Sequence, residues 1–499
     1  MTEIKKVAIV NRGEIALRII RTCKERGIRT VALFSEADAA APHVLHADES
    51  ILIGGASPAE SYLNIPAVIE AVRQSGADTV HPGYGFLSEN PGFAKACEEE
   101  GIRFAGPSPE VIALMGDKTR ARQLVTSAGV ACPPGSDKEA GGLEEASDTA
   151  SSIGYPVLIK AAAGGGGKGM RIIRHQDELE QGLKSARSEA KGAFGDDRIF
   201  IEKYLEEPRH IEIQILADSY GNVVHLFERE CSVQRRHQKV IEEAPSPLVD
   251  EELRKSMAET AILIAKLCRY EGAGTVEFLV DKQKNFYFLE MNTRLQVEHP
   301  VTELITGLDL VALQLDIAAG KKLPFSQTDL KINGHAIECR IYAEDPDNNF
   351  LPDTGLLNRH RVPGGPGVRM DAGIEEGQSV TIHYDPMISK LSVHAATREL
   401  AIAKMSRALD EYEISGVRTT IPFCKFTMQE RSFADGSYHT GFVKEIFEKR
   451  QKAIPSKLRP VAALISAIVC DTEETETHTP SADGNGRASR WWQQRKYRS

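Results

Sequence analysis

A chain of 499 residues is too long for a single hydrophobic core and implies about three domains. Its 41% hydrophobic and 26% charged residues are those of an ordinary globular protein, and no apolar run reaches the length needed to span a bilayer. The net charge of -10 excludes a general basic field of the kind that attracts nucleic acid.

Met1 to Lys6 leads directly into an apolar segment, so no signal peptide is expected. The 8 cysteines form no CxxC pair and no zinc spacing, and they read as reduced thiols of a cytosolic protein. Residues 5 to about 115 alternate short strands with amphipathic helices. Strands are predicted at Lys6–Val10, Thr30–Phe34, Ser50–Ile53 and Thr79–Val80. The stripe Ile15, Ala16, Ile19, Ile20 and Cys23 predicts a helix that ends at Gly27. This alternation implies a parallel sheet with helices on its faces. The dinucleotide fingerprint is missing, because the turn Asn11–Glu14 has one glycine and Gly83-Tyr84-Gly85 is followed by Ser88. A nicotinamide dehydrogenase is thereby excluded.

From 116 to 330 longer strand pairs alternate with helices. Lys118 follows the first segment and reads as an ordinary helix-start lysine unless a ligand claims it. The strand Pro156–Lys160 runs through Ala161–Ala163 into a glycine run, Gly164–Met170, flanked by Lys160 and Lys168. It lacks the spacing of a P-loop, and a lid over phosphates is expected, since glycines let backbone N–H groups approach phosphate oxygens. Ile199–Tyr204 reads as a strand linking two lobes, where backbone groups can hold an adenine. Arg209–Ala217 and Val223–Glu228 predict a hairpin across Ser219–Asn222. In Glu230–Lys239, the cations Arg235, Arg236 and Lys239 predict an anion site. The alternative is a solvated basic face, given Glu242 and Glu243 just beyond, and His237 alone reads as a structural histidine.

Phe286–Pro300 carries the strongest pattern. Glu290, Asn292, Arg294, Gln296 and Glu298 recur at every second residue, opposite Leu289, Met291, Leu295 and Val297. A strand would send the five polar groups to one face. The preceding strand, Gly274–Val280, joined by a turn on Gln283 and Lys284, would set Glu277 opposite Glu290. Like charges at that spacing repel, and a divalent cation with hard oxygen ligands would relieve them. Arg340 sits in the apolar strand Ala336–Tyr342, with Glu338 as its predicted partner. It is either a structural ion pair or a cation for a developing oxyanion. Residues 331 to 447 stay mixed α/β. In the tail, Val461–Val469 fits a short helix, and Trp491 and Trp492 in a basic stretch suggest docking on a partner.

Seven motifs together resemble the biotin carboxylase family of the ATP-grasp superfamily. They are N-R-G-E-I-A-L-R-I at 11–19, H-P-G-Y-G-F-L-S-E-N at 81–90, the glycine run, E-K-Y-L-E at 202–206, Q-R-R-H-Q-K at 234–239, E-M-N-T-R-L-Q-V-E-H at 290–299 and the strand around Arg340. The resemblance spans about Lys6 to Phe447. It implies a Rossmann-like N-terminal domain at 1–115 and an ATP-grasp domain at 116–330 with a lid at about 132–204. A C-terminal α/β domain at 331–447 and a tail at 448–499 follow. The implied reaction is ATP-dependent carboxylation of biotin by bicarbonate through carboxyphosphate.

By the same resemblance ATP would contact Lys118, Lys160, Gly166, Gly167, Glu202, Lys203, Tyr204, Leu205, His210, Gln234, His237, Glu277, Leu279 and Glu290. Glu277, Glu290 and Asn292 would bind two Mg²⁺ or Mn²⁺ ions. Lys239, Arg294, Gln296 and Val297 would hold bicarbonate, Glu298 would be its base, and Arg340 and Tyr84 would meet biotin. Arg21, Glu25 and Arg369 would lie near a homodimer interface. Ala163 and Lys168 depart from the usual lid, which stiffens one hinge and loses bidentate geometry. No lysine stands between two methionines, so biotin would be carried by a separate carrier protein and passed to a separate carboxyltransferase. Two other readings remain at this level: an ATP-grasp ligase for a different carboxylate, and a silent protein that scaffolds a carboxylase complex.

Overall fold

Short β-branched runs between helices build the first sheet of the structure, a computed structural model that describes residues 3–136, 141–161 and 170–450. The strands β1 (Lys6–Ile9), β2 (Arg29–Phe34), β3 (Glu49–Leu52), β4 (Thr79–His81) and β5 (Arg103–Phe104) pair in parallel in the order β3-β2-β1-β4-β5. Helix α1 (Gly13–Glu25) buries the expected stripe from Ile15 to Cys23, and Gly27 just beyond it takes the left-handed φ of 68° that favours glycine. β5 went unpredicted because two residues carry no period.

A small antiparallel sheet follows, with β6 (Val157–Ala161) between β7 (Arg171–Ile173) and β8 (Ile199–Lys203). The glycine run with Ala163, Gly166, Gly167 and Lys168, and the tail with Val461–Val469 and both tryptophans, lie outside the described residues.

The largest sheet is antiparallel and has 8 strands. β9 (Arg209–Ala217) and β10 (Val223–Arg235) form the predicted hairpin, and β11 (Gln238–Ala244), β12 (Gly272–Val280), β13 (Phe286–Asn292) and β14 (His335–Tyr342) extend it. The order is β13-β12-β9-β10-β11-β14, then the strands Met387–Ala395 and Val368–Ala372. β11 pairs with β14 from Ile241–Cys339 to Ala244–Ala336, so one ladder crosses residue 331, where the sequence suggested a boundary. Apolar residues pack on it in separate clusters, one around Ile213, Met257 and Phe278 and one around Ile341, Leu391 and Phe423. Among the described residues no helix is long and apolar enough to cross a membrane.

Glu243 pins the far end of β11. It accepts hydrogen bonds from His335 Nε2 at 2.6 Å, Arg398 Nε at 2.7 Å and the Tyr438 hydroxyl. Burial pushes its carboxyl up, but His335 and Arg398 overcome this and bring it down to about 2 from 4.5. A depressed carboxyl contributes stability above its ordinary value, and the contribution is lost as pH falls from about 4.5 through about 2. Glu243→Gln is expected to cost on the order of 3 kcal/mol at neutral pH and to flatten the acid limb of stability in that window, as measured by urea unfolding from pH 7 to pH 3.

Candidate active site

Alternation along β9 sends His210, Glu212 and Gln214 to one face, between Ile211, Ile213 and Ile215 on the other. β12 lies beside it with Glu277 in register with Glu212, and β13 sets Glu290 in register with Glu277. The predicted carboxylate pair is therefore present. Protein groups offset its repulsion: the Lys118 ammonium lies 3.2 Å from Glu290 Oε2, and His210 Nε2 lies 2.9 Å from Glu277 Oε2. Asn292 Nδ2 donates to Glu277 Oε1 at 3.0 Å. Two carboxylates and an amide form a hard oxygen set, and the Glu290 side chain is open to solvent while Glu277 is buried. These residues could hold Mg²⁺ or Mn²⁺ that arrives with a nucleotide.

The polar row does not lie on one strand. β13 ends at Asn292, and the register slips between Glu277–Glu290 and Phe278–Phe288, leaving Leu289 as an extra residue. That bulge lets Phe288 and Met291 both enter the core, which strict alternation forbids. Beyond Asn292 the chain bends, and Glu298 becomes the cap of the helix His299–Thr306. Hydrogen bonds keep the row together. Arg294 donates to Gln296 Oε1 at 3.0 Å and to Asn292 Oδ1 at 3.2 Å, and Gln296 Nε2 donates to Glu277 Oε1 at 3.2 Å.

At the centre, the Lys239 ammonium touches three carboxylates: Glu212 Oε2 at 2.5 Å, Glu277 Oε1 at 2.7 Å and Glu298 Oε1 at 2.6 Å. Arg340 Nη2 lies 2.8 Å from Glu298 Oε2 and 2.6 Å from Glu242 Oε1. Burial pushes the Glu298 carboxyl up, but Lys239 and Arg340 overcome it and hold it well below the usual carboxylate range. Glu277 is held low in the same way by Lys239 and His210. Glu242 goes the other way, to about 8, because burial outweighs Arg340.

Two expectations need correction here. The partner of Arg340 is not Glu338, which accepts instead from Ser392 Oγ at 2.7 Å; the long Arg340 side chain reaches across the sheet to Glu242 and Glu298. Nor do Arg235 and Arg236 join Lys239. Arg235 ends β10, and Arg236 is in the two-residue turn to β11, where Arg236 and His237 have φ values of 48° and 65°. A two-residue hairpin of that hand turns Arg235 to Glu344 and Arg236 to the Asn349 carbonyl. Glu242 and Glu243 are fully buried, so the solvated-face alternative fails as well.

Around this centre, Lys160 pairs with Glu202 across β6 and β8. Lys203 donates to the Gly154 and Tyr155 carbonyls at 3.0 and 3.1 Å, and Tyr204 and Leu205 follow β8. Gln234 Nε2 meets His210 Nδ1 at 2.8 Å, and Leu279 is in register with His210. The Tyr84 ring lies 5.6 Å from Lys390 Nζ. Arg369 pairs with Glu303 at 2.7 Å and Asp371 at 2.9 Å, and Arg21 approaches Asp371 at 3.5 Å.

Sequence reasoning missed Glu212, Arg229 and Glu242. Arg229 is wholly buried and grips Glu212 Oε1 at 2.5 Å, Gln214 Oε1 at 2.7 Å and Thr302 Oγ1 at 2.9 Å. The signal for Glu212 was the same period of two, His210-Ile211-Glu212-Ile213-Gln214, that marked β13.

A small sheet bearing Lys160, facing a large antiparallel sheet that carries two acidic residues in register, defines an ATP-grasp ligase. Residues 117–326 match the family described as "Carbamoyl-phosphate synthase L chain, ATP binding domain", residues 3–112 "Biotin carboxylase, N-terminal domain" and residues 338–445 "Biotin carboxylase C-terminal domain". The chain is 55% identical over 439 residues to the biotin carboxylase of Halalkalibacterium halodurans, covering 88% of this chain and 97% of that protein. It is 51% identical over 456 residues to a pyruvate carboxylase subunit of Methanothermobacter thermautotrophicus, covering 91% and 92%. Its fold matches the biotin carboxylase domain dimer of Hydrogenobacter thermophilus 2-oxoglutarate carboxylase, solved with MgADP, ADP and bicarbonate. There the TM-score is 0.88 at 49% identity, covering 91% of this chain and 100% of that one. The chain belongs to the biotin carboxylase family.

Proposed function

We infer that the protein carboxylates biotin with bicarbonate and ATP, the first half-reaction of a biotin-dependent carboxylase. The observation that carries this reading is a buried, charged Glu298 held between Lys239 and Arg340, with the same Lys239 ammonium touching Glu277 of the acidic pair Glu277 and Glu290.

The residues divide the work as follows. Lys239, Arg294, Gln296 and the Val297 backbone clamp bicarbonate, a poor nucleophile that must be oriented to react. Glu298 takes its proton, and the freed oxygen attacks the terminal phosphorus of ATP, breaking the bond to ADP and giving carboxyphosphate. Lys118, Lys160 and His210 lie where they can meet the phosphates, and β8 with Tyr204 and Leu205 supports the adenine. Glu277, Glu290 and Asn292 would hold Mg²⁺, which when bound would offset charge on the transferred phosphoryl group. Two Mg²⁺ or Mn²⁺ ions suit this donor set. Carboxyphosphate then splits into CO₂ and phosphate, and the phosphate takes the ureido N–H proton of biotin. Arg340, with Tyr84 nearby, stabilises the enolate oxygen while the nitrogen bonds to CO₂.

Biotin comes on a separate carrier protein, and the setting is a multisubunit carboxylase. The acceptor is chosen by its carboxyltransferase, as the relatives named for pyruvate and for 2-oxoglutarate illustrate. A homodimer is the assembly we propose. A cytosolic location suits the free thiols at Cys23, Cys97, Cys132, Cys231, Cys268, Cys339 and Cys424.

Phosphate release with Mg²⁺ and ATP should require both bicarbonate and free biotin. Hydrolysis indifferent to both would reject the reading in favour of another ATP-grasp ligase. Glu290→Gln should raise the Mg²⁺ concentration for half-maximal rate about 10- to 100-fold with the fold intact, measured by magnesium titration at saturating ATP.

A further inference from the structure

The loop between β13 and the helix His299–Thr306 has no ladder to hold it, yet Val297 and Glu298 must be placed to a fraction of an ångström for the chemistry above. Two buried side chains outside the expected set grip its backbone. His299 Nδ1 lies 2.8 Å from the Gln296 carbonyl oxygen, and Lys390 Nζ donates to the Val297 carbonyl oxygen at 2.8 Å. Both side chains are fully buried.

The geometry is selective. A peptide plane carries a carbonyl on one side and the next residue's N–H on the other. His299 therefore fixes the plane that contains the Val297 N–H, and Lys390 fixes the plane that leads into Glu298. A carbonyl oxygen cannot donate, so Nδ1 carries the proton, and among the described residues Nε2 has no hydrogen-bond partner, Glu303 Oε2 lying 3.9 Å away. Burial, with Lys390, Arg18 and Arg369 nearby, keeps this imidazole neutral. Lys390 lies in the strand Met387–Ala395 in register with Arg340 of β14. Neighbouring strands thus hold one corner of the loop, Arg340 by the Glu298 carboxylate and Lys390 by the preceding carbonyl. Glu14 of α1 faces the ammonium, its Oε2 3.2 Å from Lys390 Nζ, and burial lifts this carboxyl to about 7 although Lys390 pulls it down. A wholly buried ammonium is costly unless its position serves something, and here it is aimed at one main-chain oxygen.

We propose that His299 and Lys390 are positioning residues that lock the two peptide planes around Val297, aiming its N–H at bicarbonate and the Glu298 carboxylate at the proton. The proposal rests on the bicarbonate site described above.

Steady-state kinetics of the full chain, with a thermal unfolding midpoint for each variant, test it. His299→Leu should raise KM for bicarbonate about tenfold or more while KM for ATP stays within about twofold. His299→Asn, whose amide nitrogen can reach the same carbonyl, should recover most of that loss. Lys390→Met combined with Glu14→Gln keeps the buried site neutral and should give the same selective rise. An unchanged bicarbonate KM in folded His299→Leu and in the double variant overturns the proposal. So does a His299→Asn protein no better than His299→Leu, since packing alone favours leucine. Arg294→Ala separates this from the underlying reading. If it also leaves the bicarbonate KM unchanged, the bicarbonate site is misassigned. If it alone raises that KM, the site stands and only the roles of His299 and Lys390 fall.

Discussion

Glu298→Gln lowers the rate of bicarbonate- and biotin-dependent phosphate release by about 10²- to 10⁴-fold, while nucleotide still binds. Glutamine keeps the shape but cannot accept a proton, and it leaves Lys239 and Arg340 facing a neutral group. The pH dependence follows from the same contacts. Against burial, Lys239 and Arg340 hold Glu298 well below the ordinary carboxylate range, so in the free enzyme it is charged throughout the neutral region. Its acid limb in kcat/KM therefore falls below the ordinary carboxylate value. Such a base is weak until an anion joins Lys239 and shares its charge. The limb in kcat, which reports the loaded enzyme, should then lie at higher pH than the limb in kcat/KM. Full activity in Glu298→Gln, or two limbs at the same pH, contradicts this account.

Lys239→Met strikes three carboxylates at once. Glu212, Glu277 and Glu298 are all buried, and the ammonium is their common neighbour. Arg229 still serves Glu212 and Arg340 still serves Glu298, but Glu277 is left with His210 and the neutral amides of Asn292 and Gln296. The expected cost is about 3–5 kcal/mol of stability, with about 10²- to 10³-fold in rate. The sign with pH also changes. In the wild type, Glu277 and Glu298 contribute stability above their ordinary carboxylate value and lose it on acidification. Without the lysine, Glu277 loses the main cation that offsets its burial, so its carboxyl rises and its contribution is present at low pH and lost as pH rises, while Glu298 keeps Arg340 and Arg229. The variant should lag furthest behind the wild type at pH 8 and least at pH 5 in urea unfolding. Adding Glu212→Gln should restore part of the stability and none of the rate. Unfolding midpoints within about a degree of the wild type would mean the three acids do not depend on Lys239.

Local patterns carried much of this into view. The parallel sheet was legible because each β–α unit has its own period. The Glu277–Glu290 pairing was expected from a turn on Gln283 and Lys284, but the turn sets Val280 against Phe286, and it is the bulge at Leu289 that shifts the register by one and brings Glu290 opposite Glu277. What stayed hidden depends on contacts between distant segments. Nothing near Arg340 in the chain marks Glu242 or Glu298 as its partners, which come from β11 and from a helix cap. The row from Glu290 to Glu298 read as one strand because five polar residues at period two mimic an edge. Hydrogen bonds of Arg294 and Gln296, not strand geometry, hold its second half. Lys390 carried no signal, since a lone lysine in an apolar strand looks like an edge residue until Glu14, nearly 400 residues earlier, is folded beside it.

The unbroken ladder from β13 to Val368–Ala372 makes the acidic pair and Arg340 parts of one plate. Among the described residues the sheet of β6, β7 and β8 shares no ladder with it, so a shift of that sheet would break none of the plate's rungs. The large sheet is thereby an anvil: Glu277, Glu290 and Arg340 keep one spacing whatever position the smaller sheet takes.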